Sequence, residues 1–176
     1  GFTVVGLGTF SREFARDVVA PFVEEYLAGR TPSPCILCNR SIKFSALRQR
    51  AAELGAAWVA TGHYARRHHD GTRLRLRRGR DAAKDQSYFL FEMGQAELAR
   101  TLFPVGDLAK DEVRALAAAR GIATAGKPDS QEICFVPDGG YADFVEKAAP
   151  DRLRHGSIVD AEGTVRGAHA GIHRYT

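Results

Sequence analysis

Three cysteines are the residues of this sequence best suited to covalent chemistry. Cys35 and Cys38 are separated by two residues, and Cys134 follows much later in the chain. Cys38 falls at the predicted start of a helix, where the helix dipole favours an anion, so we expect the pKa of its thiol to be lowered. The pattern indicates a reactive thiolate. Half of a zinc site and two unreactive thiols are the alternatives.

The surroundings of Cys134 point in two directions. A cysteine between two large apolar residues, here Ile133 and Phe135, is ordinarily a buried core residue. The residues just before them are polar, however, and bring a carboxylate, a hydroxyl and an amide to the entrance of a predicted strand. A core strand does not need these groups, so the segment is also a candidate for chemistry.

A possible ligand site follows the predicted buried strand over residues 57–61. In open α/β sheets, ligands bind outside the carboxyl ends of the strands, and Gly62 and His63 come directly after this strand. Gly62 would allow a ligand to approach the backbone closely, and His63 could form a hydrogen bond with it. The alternative is a glycine turn with a histidine that faces solvent.

A basic segment comes next. Between Arg66 and Arg80 there are seven arginines and a single acidic residue, Asp70. The pair Asp70-Gly71 predicts a hairpin, and alternation of arginine with leucine after it predicts one solvated basic face and one buried face. A run of this kind is more often a charged face than a nucleic-acid site.

A short polar motif follows this hairpin. Lys84 could contact phosphates, and Asp85 and Gln86 could read the edges of bases. A solvated loop is the alternative interpretation.

Alternating helical and strand patterns predict an α/β fold. Pro21 should kink or split the first helix, and the prolines within residues 30–38 predict a stiff, extended loop. Val113, Leu116 and Ala117 are expected to face the core. The predicted elements are strands over 2–5, 57–61 and 133–136, helices over 11–29, 39–54, 110–120 and 141–148, a second hairpin over 157–166 and a linker over 126–128.

Composition excludes several classes of protein. Apolar residues make up 44% and charged residues 26%, which argues against disorder, collagen and a disulfide-rich scaffold. No apolar run approaches the ~18 residues that span a bilayer, and no secretory signal is recognisable. We therefore expect a cytoplasmic protein without a membrane partner. The net charge of +4 is compatible with nucleic-acid binding.

Several separated stretches, taken in order, resemble the family of tRNA-specific 2-thiouridylases, the MnmA family. Three of them are Thr-Gly-His-Tyr-Ala-Arg at 61–66, Lys-Asp-Gln-Ser-Tyr-Phe-Leu at 84–90 and Lys-Pro-Asp-Ser-Gln-Glu-Ile-Cys-Phe at 127–135. The others lie at 29–35 with 38–39, 42–44, 103–104 and 169–176. Together they cover nearly all of the chain after about residue 12.

The resemblance implies a Rossmann-like PP-loop ATP pyrophosphatase fold, akin to the adenine nucleotide alpha-hydrolases. Residues 1–125 would form the C-terminal part of that domain, and residues 126–176 the catalytic-cysteine segment and the start of a small central domain. The family's Ser-Gly-Gly-Val-Asp-Ser type ATP loop and its C-terminal β-barrel do not occur in this sequence. We therefore expect a fragment that is inactive on its own.

The resemblance also implies a reaction. ATP, with Mg²⁺, would adenylate the C2 oxygen of the wobble uridine (position 34) in glutamate, glutamine and lysine tRNAs, and a persulfide sulfur would displace AMP. By analogy Cys134 carries the persulfide. Cys38 is the partner nucleophile and forms a transient disulfide with Cys134. A cysteine desulfurase or a sulfur-relay protein would supply the sulfur.

Binding roles carry over in the same way. Gly62 would contact ATP. Ser33 stands where the family commonly has Asn, and Cys35 where some members have Asp. The residues implied in tRNA binding are Ser33, Pro34, Cys35, His63, Lys84, Asp85 and Gln86.

Two other functions stay open. Cys35, Cys38 and Cys134 could hold an iron–sulfur cluster in a tRNA thiolase of different chemistry. Alternatively, the chain could be a non-catalytic, zinc-stabilised RNA-binding module with His63 or His155 as a fourth ligand.

Overall fold

The computed structural model describes residues 10–127, 133–136 and 140–176. These residues form two compact units, the first from residues 10–11 and 35–127, and the second from residues 12–34, 133–136 and 140–176. The predicted strand over 2–5 and most of the polar run before Cys134 lie outside the described residues. The predicted domain boundary at residue 125 stays a prediction.

Helices and short strands alternate along the chain. The helices are α1 (Ser11–Phe14), α2 (Ala20–Leu27), α3 (Pro34–Leu37), α4 (Leu47–Glu53), α5 (Gln95–Ala99), α6 (Lys110–Ala119) and α7 (Gly140–Ala148). The strands are β1 (Val59–Ala60), β2 (Ala65–His69), β3 (Leu74–Arg78), β4 (Thr101–Leu102), β5 (Gly156–Val159) and β6 (Val165–His169). Turns of π-helix cover Ala15–Val19 and Cys38–Ala46, and 3₁₀ turns cover Ser87–Leu90, Pro150–Arg152 and Ile172–Tyr175.

Proline shapes both helical runs. Pro21 lies in the first turn of α2, and the turns just before it are π-helical. Pro21 has no N–H to donate and its ring crowds the preceding turn, so the predicted interruption of the helix is confirmed. Pro34, by contrast, begins a helix, because proline is well suited to the first helical position. The predictions of an extended loop to residue 38 and of a helix start at residue 39 are therefore wrong.

A parallel strand pair confirms the α/β class. Val59 of β1 lies opposite Thr101 of β4, and Ala60 lies opposite Leu102. The strand is shorter and more exposed than expected, with Trp58 45% exposed. Among the described strands β4 is the sole partner of β1, so the other edge of β1 pairs with no described strand.

The predicted basic hairpin is confirmed as β2 and β3, which pair antiparallel. The Asp70 carboxylate accepts hydrogen bonds from the backbone N–H groups of Thr72 and Arg73, both at 3.0 Å, and Gly71 takes a φ of +97°. The leucines of β3 are half-buried and its arginines are exposed. The core of this unit consists of Phe44, Ala65 and Leu90, with Leu76, Met93 and Phe103 packed against it.

The second unit has an aromatic core. The Tyr26 and Tyr141 rings stack with centroids 4.4 Å apart, and Phe22 packs edge-on against Phe135 at 5.1 Å. Val145 is fully buried beside them. Helix α7 and the hairpin β5–β6 confirm the predictions for residues 141–148 and 157–166.

Two further expectations are wrong. Leu116 of α6 is 43% exposed rather than inward-facing, whereas Val113 and Ala117 are half-buried. Residues 133–136 form a turn, not a strand, closed by the N–H of Val136 on the carbonyl of Ile133 at 2.9 Å. No helix of the described residues has the length and apolarity to cross a bilayer.

Candidate functional site

The Cys35–Cys38 pair lies on the first turns of a helix. Cys35 is exposed and Cys38 is half-buried. The first helical turn covers residues 34–37, so Cys35, not Cys38, lies where the helix dipole acts most strongly. The expected stabilisation of a thiolate by the helix start therefore applies to Cys35, because Cys38 lies one turn further along the helix.

Asn39 anchors the helix that carries Cys38. Its side chain is 3% exposed, and its Nδ2 donates to the carbonyl oxygen of Phe89 at 2.9 Å. Its Oδ1 has no hydrogen-bond partner among the described residues. A buried hydrogen bond from a side-chain amide to a backbone carbonyl joins two segments of the chain. This bond therefore holds Cys38 in place relative to the 3₁₀ turn Ser87–Leu90.

Gly62 and His63 follow the carboxyl end of β1, as predicted. The N–H of Thr61 continues the parallel pairing by donating to Leu102 at 3.0 Å. Gly62 is exposed, and apart from its chain neighbours no described residue comes within 4 Å of the position that a Cβ would take there. Among the described residues, space for a ligand therefore exists beside this backbone.

His63 is buried, which corrects the solvent-facing alternative. It is 7% exposed, its ring lies 6.0 Å from that of Phe44, and its Nδ1 lies 2.7 Å from Oγ1 of Thr61. Burial lowers the pKa of His63 to about 4, and the charge of Lys43 acts in the same direction. The imidazole is therefore neutral near pH 7 and suited to hydrogen bonding rather than to pairing with a phosphate.

Asp85 organises the loop of the polar motif. One of its oxygens accepts from the N–H of Gly79 at 2.8 Å, and the other from Oγ of Ser87 at 2.9 Å and Nε of Arg78 at 3.2 Å. Burial acts to raise the pKa of Asp85, but these hydrogen bonds outweigh it, so the pKa is lowered. The carboxylate is thus engaged within the protein, and its contact with tRNA stays a prediction.

Gln86 also bonds internally. Its backbone N–H donates to the carbonyl of Tyr64 at 2.9 Å, and its Oε1 accepts from the N–H of Tyr64 at 3.1 Å. These bonds tie the motif to the segment that contains His63. Its Nε2 donates to none of the described residues and is the group that remains for a ligand. Lys84 beside it is half-buried.

Two aromatic residues beside this motif, Tyr88 and Phe91, were not among the predicted site residues. Tyr88 is 70% exposed and Phe91 is 61% exposed, with ring centroids 6.3 Å apart. Large aromatic side chains are seldom this exposed without a partner. The sequence signal for them was that both aromatic residues follow closely after the polar residues 84–86.

The remaining predicted residues belong to the second unit. Cys134 is exposed at its turn, so the buried-core interpretation is wrong: Phe135 packs into the core and Cys134 points away from it. Ser33 is exposed and Pro34 is buried. None of the cysteines forms a disulfide bond in the structure. The structure therefore gives no support to the expected Cys38–Cys134 bond, whose transient formation stays a prediction.

No group of three or more His, Cys, Asp or Glu side chains is placed to hold a metal ion within the described part of the chain. The iron–sulfur alternative on the three cysteines and the zinc alternative with His63 or His155 therefore gain no support from ligand geometry there.

The comparisons with known proteins agree on one family. Residues 5–138 match the family described as the tRNA methyl transferase HUP domain. The chain is 57% identical over 170 residues to the tRNA-specific 2-thiouridylase MnmA of Sorangium cellulosum, with 96% of the chain covered. It is 54% identical over 168 residues to that of Geotalea uraniireducens and 55% identical over 170 residues to that of Heliobacterium modesticaldum, with 95% covered in each case. The chain spans 44–45% of the length of these relatives.

Proposed function

The chain belongs to the tRNA methyl transferase HUP domain family, and we propose that its function is that of a tRNA 2-thiouridylase. It would transfer sulfur to C2 of the wobble uridine in glutamate, glutamine and lysine tRNAs. The relatives are named tRNA-specific 2-thiouridylases, which supports the coarser activity, tRNA 2-thiolation. The reaction would take place in the cytoplasm.

The exposure of Cys134 is the observation that carries this proposal. A cysteine between Ile133 and Phe135 would be buried if it served only to fill the core. It is instead exposed on a turn whose neighbour Phe135 is anchored in the second unit's core. A sulfur carrier must reach both a donor protein and a tRNA base, and an accessible thiol on an anchored turn meets that need.

The reaction requires ATP and two thiols. The C2 oxygen of uridine would attack the α-phosphorus of ATP, which releases pyrophosphate. The outer sulfur of a Cys134 persulfide would then bond to C2 as the C2–O bond breaks and AMP leaves. Cys38 would attack the inner sulfur, which frees the 2-thiouridine and leaves a Cys38–Cys134 disulfide for a thiol reductant. For that bond the two Cα atoms must approach to within about 7 Å.

The open space beside Gly62 supports a role in nucleotide binding. Mg²⁺ would accompany ATP, and we assign it no protein ligands. A cysteine desulfurase or a sulfur-relay protein would reload Cys134 with sulfur.

Recognition of tRNA would combine polar and aromatic contacts. The neutral, buried His63 can offer a hydrogen bond to a base, and Lys84 a charge to the backbone. Tyr88 and Phe91 present exposed rings on which unstacked bases of a loop can pack. The wobble base must leave its stack to react, so its neighbours need such support.

Nucleoside mass spectrometry of tRNA tests this function. The measurement uses a strain that lacks the gene, complemented with the intact protein or with its Cys134→Ser variant. We expect 2-thiouridine derivatives to disappear in the deletion strain and to return only with the wild-type protein. Persistence of these nucleosides in the deletion strain, with no second enzyme to explain it, would contradict the proposal.

The same spectra separate sulfur transfer from the methyl transfer that the family description names. A missing sulfur and a missing methyl group give different mass shifts on uridine. Loss of a methylated nucleoside with 2-thiouridine intact would replace the proposed reaction with methylation.

A further inference from the structure

Four of the seven basic side chains of β2 and β3 share one face of the hairpin, and the other three, Arg67, His69 and Arg78, lie on the opposite face. Residues directly opposite each other in an antiparallel pair share a face. Arg66 lies opposite Arg77, and His68 lies opposite Arg75. The other face contains Leu76, which packs against the core of the first unit. We call the four residues Arg66, His68, Arg75 and Arg77, with Arg73 at the turn, the basic face.

Acidic partners neutralise only part of the basic face. Arg75 pairs with Asp70, and Arg66 lies 3.3 Å from Asp107. Arg73 and Arg77 are exposed, and neither forms an ion pair with any of the described residues. Positive charge therefore remains concentrated at the turn and along the exposed strand.

This arrangement costs stability. Like charges placed directly opposite on a sheet repel each other, and Arg66 faces Arg77 across the strands. The exposed face of the hairpin needs polar residues to remain soluble, but those residues need not all carry charges of the same sign. Same-face side chains on a strand repeat at about 6.8 Å, which suits a row of contacts to successive phosphates of one nucleic-acid strand.

We propose that the basic face binds the phosphate backbone of the tRNA substrate, with Arg73 and Arg77 as its principal contacts. This inference rests on the proposed function, since that function supplies a polyanionic substrate. Arginine suits the role because its planar guanidinium binds phosphate oxygens through two parallel hydrogen bonds. The contact adds affinity and orientation without reading sequence.

Salt-dependent binding tests the inference. The intact protein and its Arg73→Gln/Arg77→Gln variant are titrated with an unmodified glutamate tRNA transcript over a range of salt concentrations. Each lost phosphate contact should lower the slope of log K against log salt by about 1, hence by about 2 for the pair. Binding should weaken roughly 10- to 100-fold at about 0.1 M salt.

Two controls make the result specific. The Arg73→Lys/Arg77→Lys variant keeps both charges and should retain most of the salt slope. The Arg50→Gln/Arg120→Gln variant removes the same net charge from exposed positions of the same unit, one in α4 and one just after α6, and should leave the slope unchanged.

The outcomes are distinguishable from failure of the proposed function. An unchanged slope in the Arg73→Gln/Arg77→Gln variant, with the wild type still binding and thiolating tRNA, would overturn the basic face alone. An equal loss in the Arg50→Gln/Arg120→Gln variant would reduce the effect to net charge and would also overturn it. A wild-type protein that neither binds nor thiolates tRNA would instead refute the proposed function.

Discussion

Tyr64 and Gln86 are joined by two reciprocal hydrogen bonds. The N–H of Gln86 donates to the carbonyl of Tyr64 at 2.9 Å, and the N–H of Tyr64 donates to Oε1 of Gln86 at 3.1 Å. Tyr64 directly follows His63, so the loop of the polar motif and the histidine after β1 form one connected structure. A change in either segment is therefore expected to reach the other.

Replacement of Gln86 tests this connection. Gln86→Ala leaves the N–H of the buried Tyr64 without its acceptor, and we expect a loss of about 1–3 kcal/mol in the free energy of unfolding. Gln86→Glu keeps an acceptor oxygen and should lose much less. Denaturant unfolding of the intact protein measures both.

The same two variants separate an effect on stability from a direct contact between Gln86 and RNA. Gln86→Glu removes the Nε2 donor while preserving the bond to Tyr64. Because the new carboxylate would also repel RNA, unchanged tRNA affinity in Gln86→Glu with stability nearly intact would rule out a direct contact of the amide with RNA. Equal stability in Gln86→Ala and the wild type would show that the bond to Tyr64 contributes nothing.

His63 should make stability depend on pH. Its pKa is about 4 in the folded protein and about 6.5 in an unfolded chain. The unfolded state therefore binds more protons between these values, and the stabilisation is complete above pH 6.5 and lost as pH falls towards 4. The loss amounts to roughly 3 kcal/mol.

A His63→Gln variant should lack this part of the pH dependence. The free energy of unfolding is measured for both proteins from pH 7 to pH 4. The slope common to both arises from the other titratable groups, and the difference between the slopes reports His63. Identical slopes would mean that the histidine titrates normally in the folded protein.

Local features of the sequence predicted the hairpins and most helix ends well. Asp70-Gly71 marks a turn through its own backbone and carboxylate geometry, and Gly55, with a φ of +75°, ends α4 as expected. The start of α3 was missed because Pro34 can either break a helix or begin one, and the sequence pattern does not distinguish the two.

The site was less predictable because burial depends on distant residues. Phe44, from the helical turns Cys38–Ala46, packs near the His63 ring, and Thr61 forms a hydrogen bond with the buried imidazole. Cys134 is exposed because Phe135, one residue later, fills the core in its place. Neither outcome follows from neighbouring residue types.

Tyr88 should contribute to tRNA binding through its ring. Stacking of a base on an aromatic ring is worth about 1–3 kcal/mol, so Tyr88→Ala should weaken tRNA binding roughly 5- to 150-fold. Tyr88→Phe keeps the ring and should bind nearly as well as the wild type. Because the side chain is 70% exposed, neither change should affect stability greatly. If Tyr88→Ala lowers stability but not affinity, the ring is covered by protein rather than by RNA.

Single replacements of Cys35 and Cys38 separate the two routes of sulfur transfer. In the persulfide route Cys38 resolves the sulfur, so Cys38→Ser should abolish multiple-turnover thiolation, whereas Cys35→Ser should keep most of the activity. In the iron–sulfur route all three cysteines are ligands, and Cys35→Ser should be as inactive as Cys38→Ser. The measurement is thiolation of a tRNA transcript with a persulfide donor and a thiol reductant, with tRNA affinity as the control for folding. Equal inactivation of both variants with tRNA affinity intact would contradict the persulfide route and favour the iron–sulfur route.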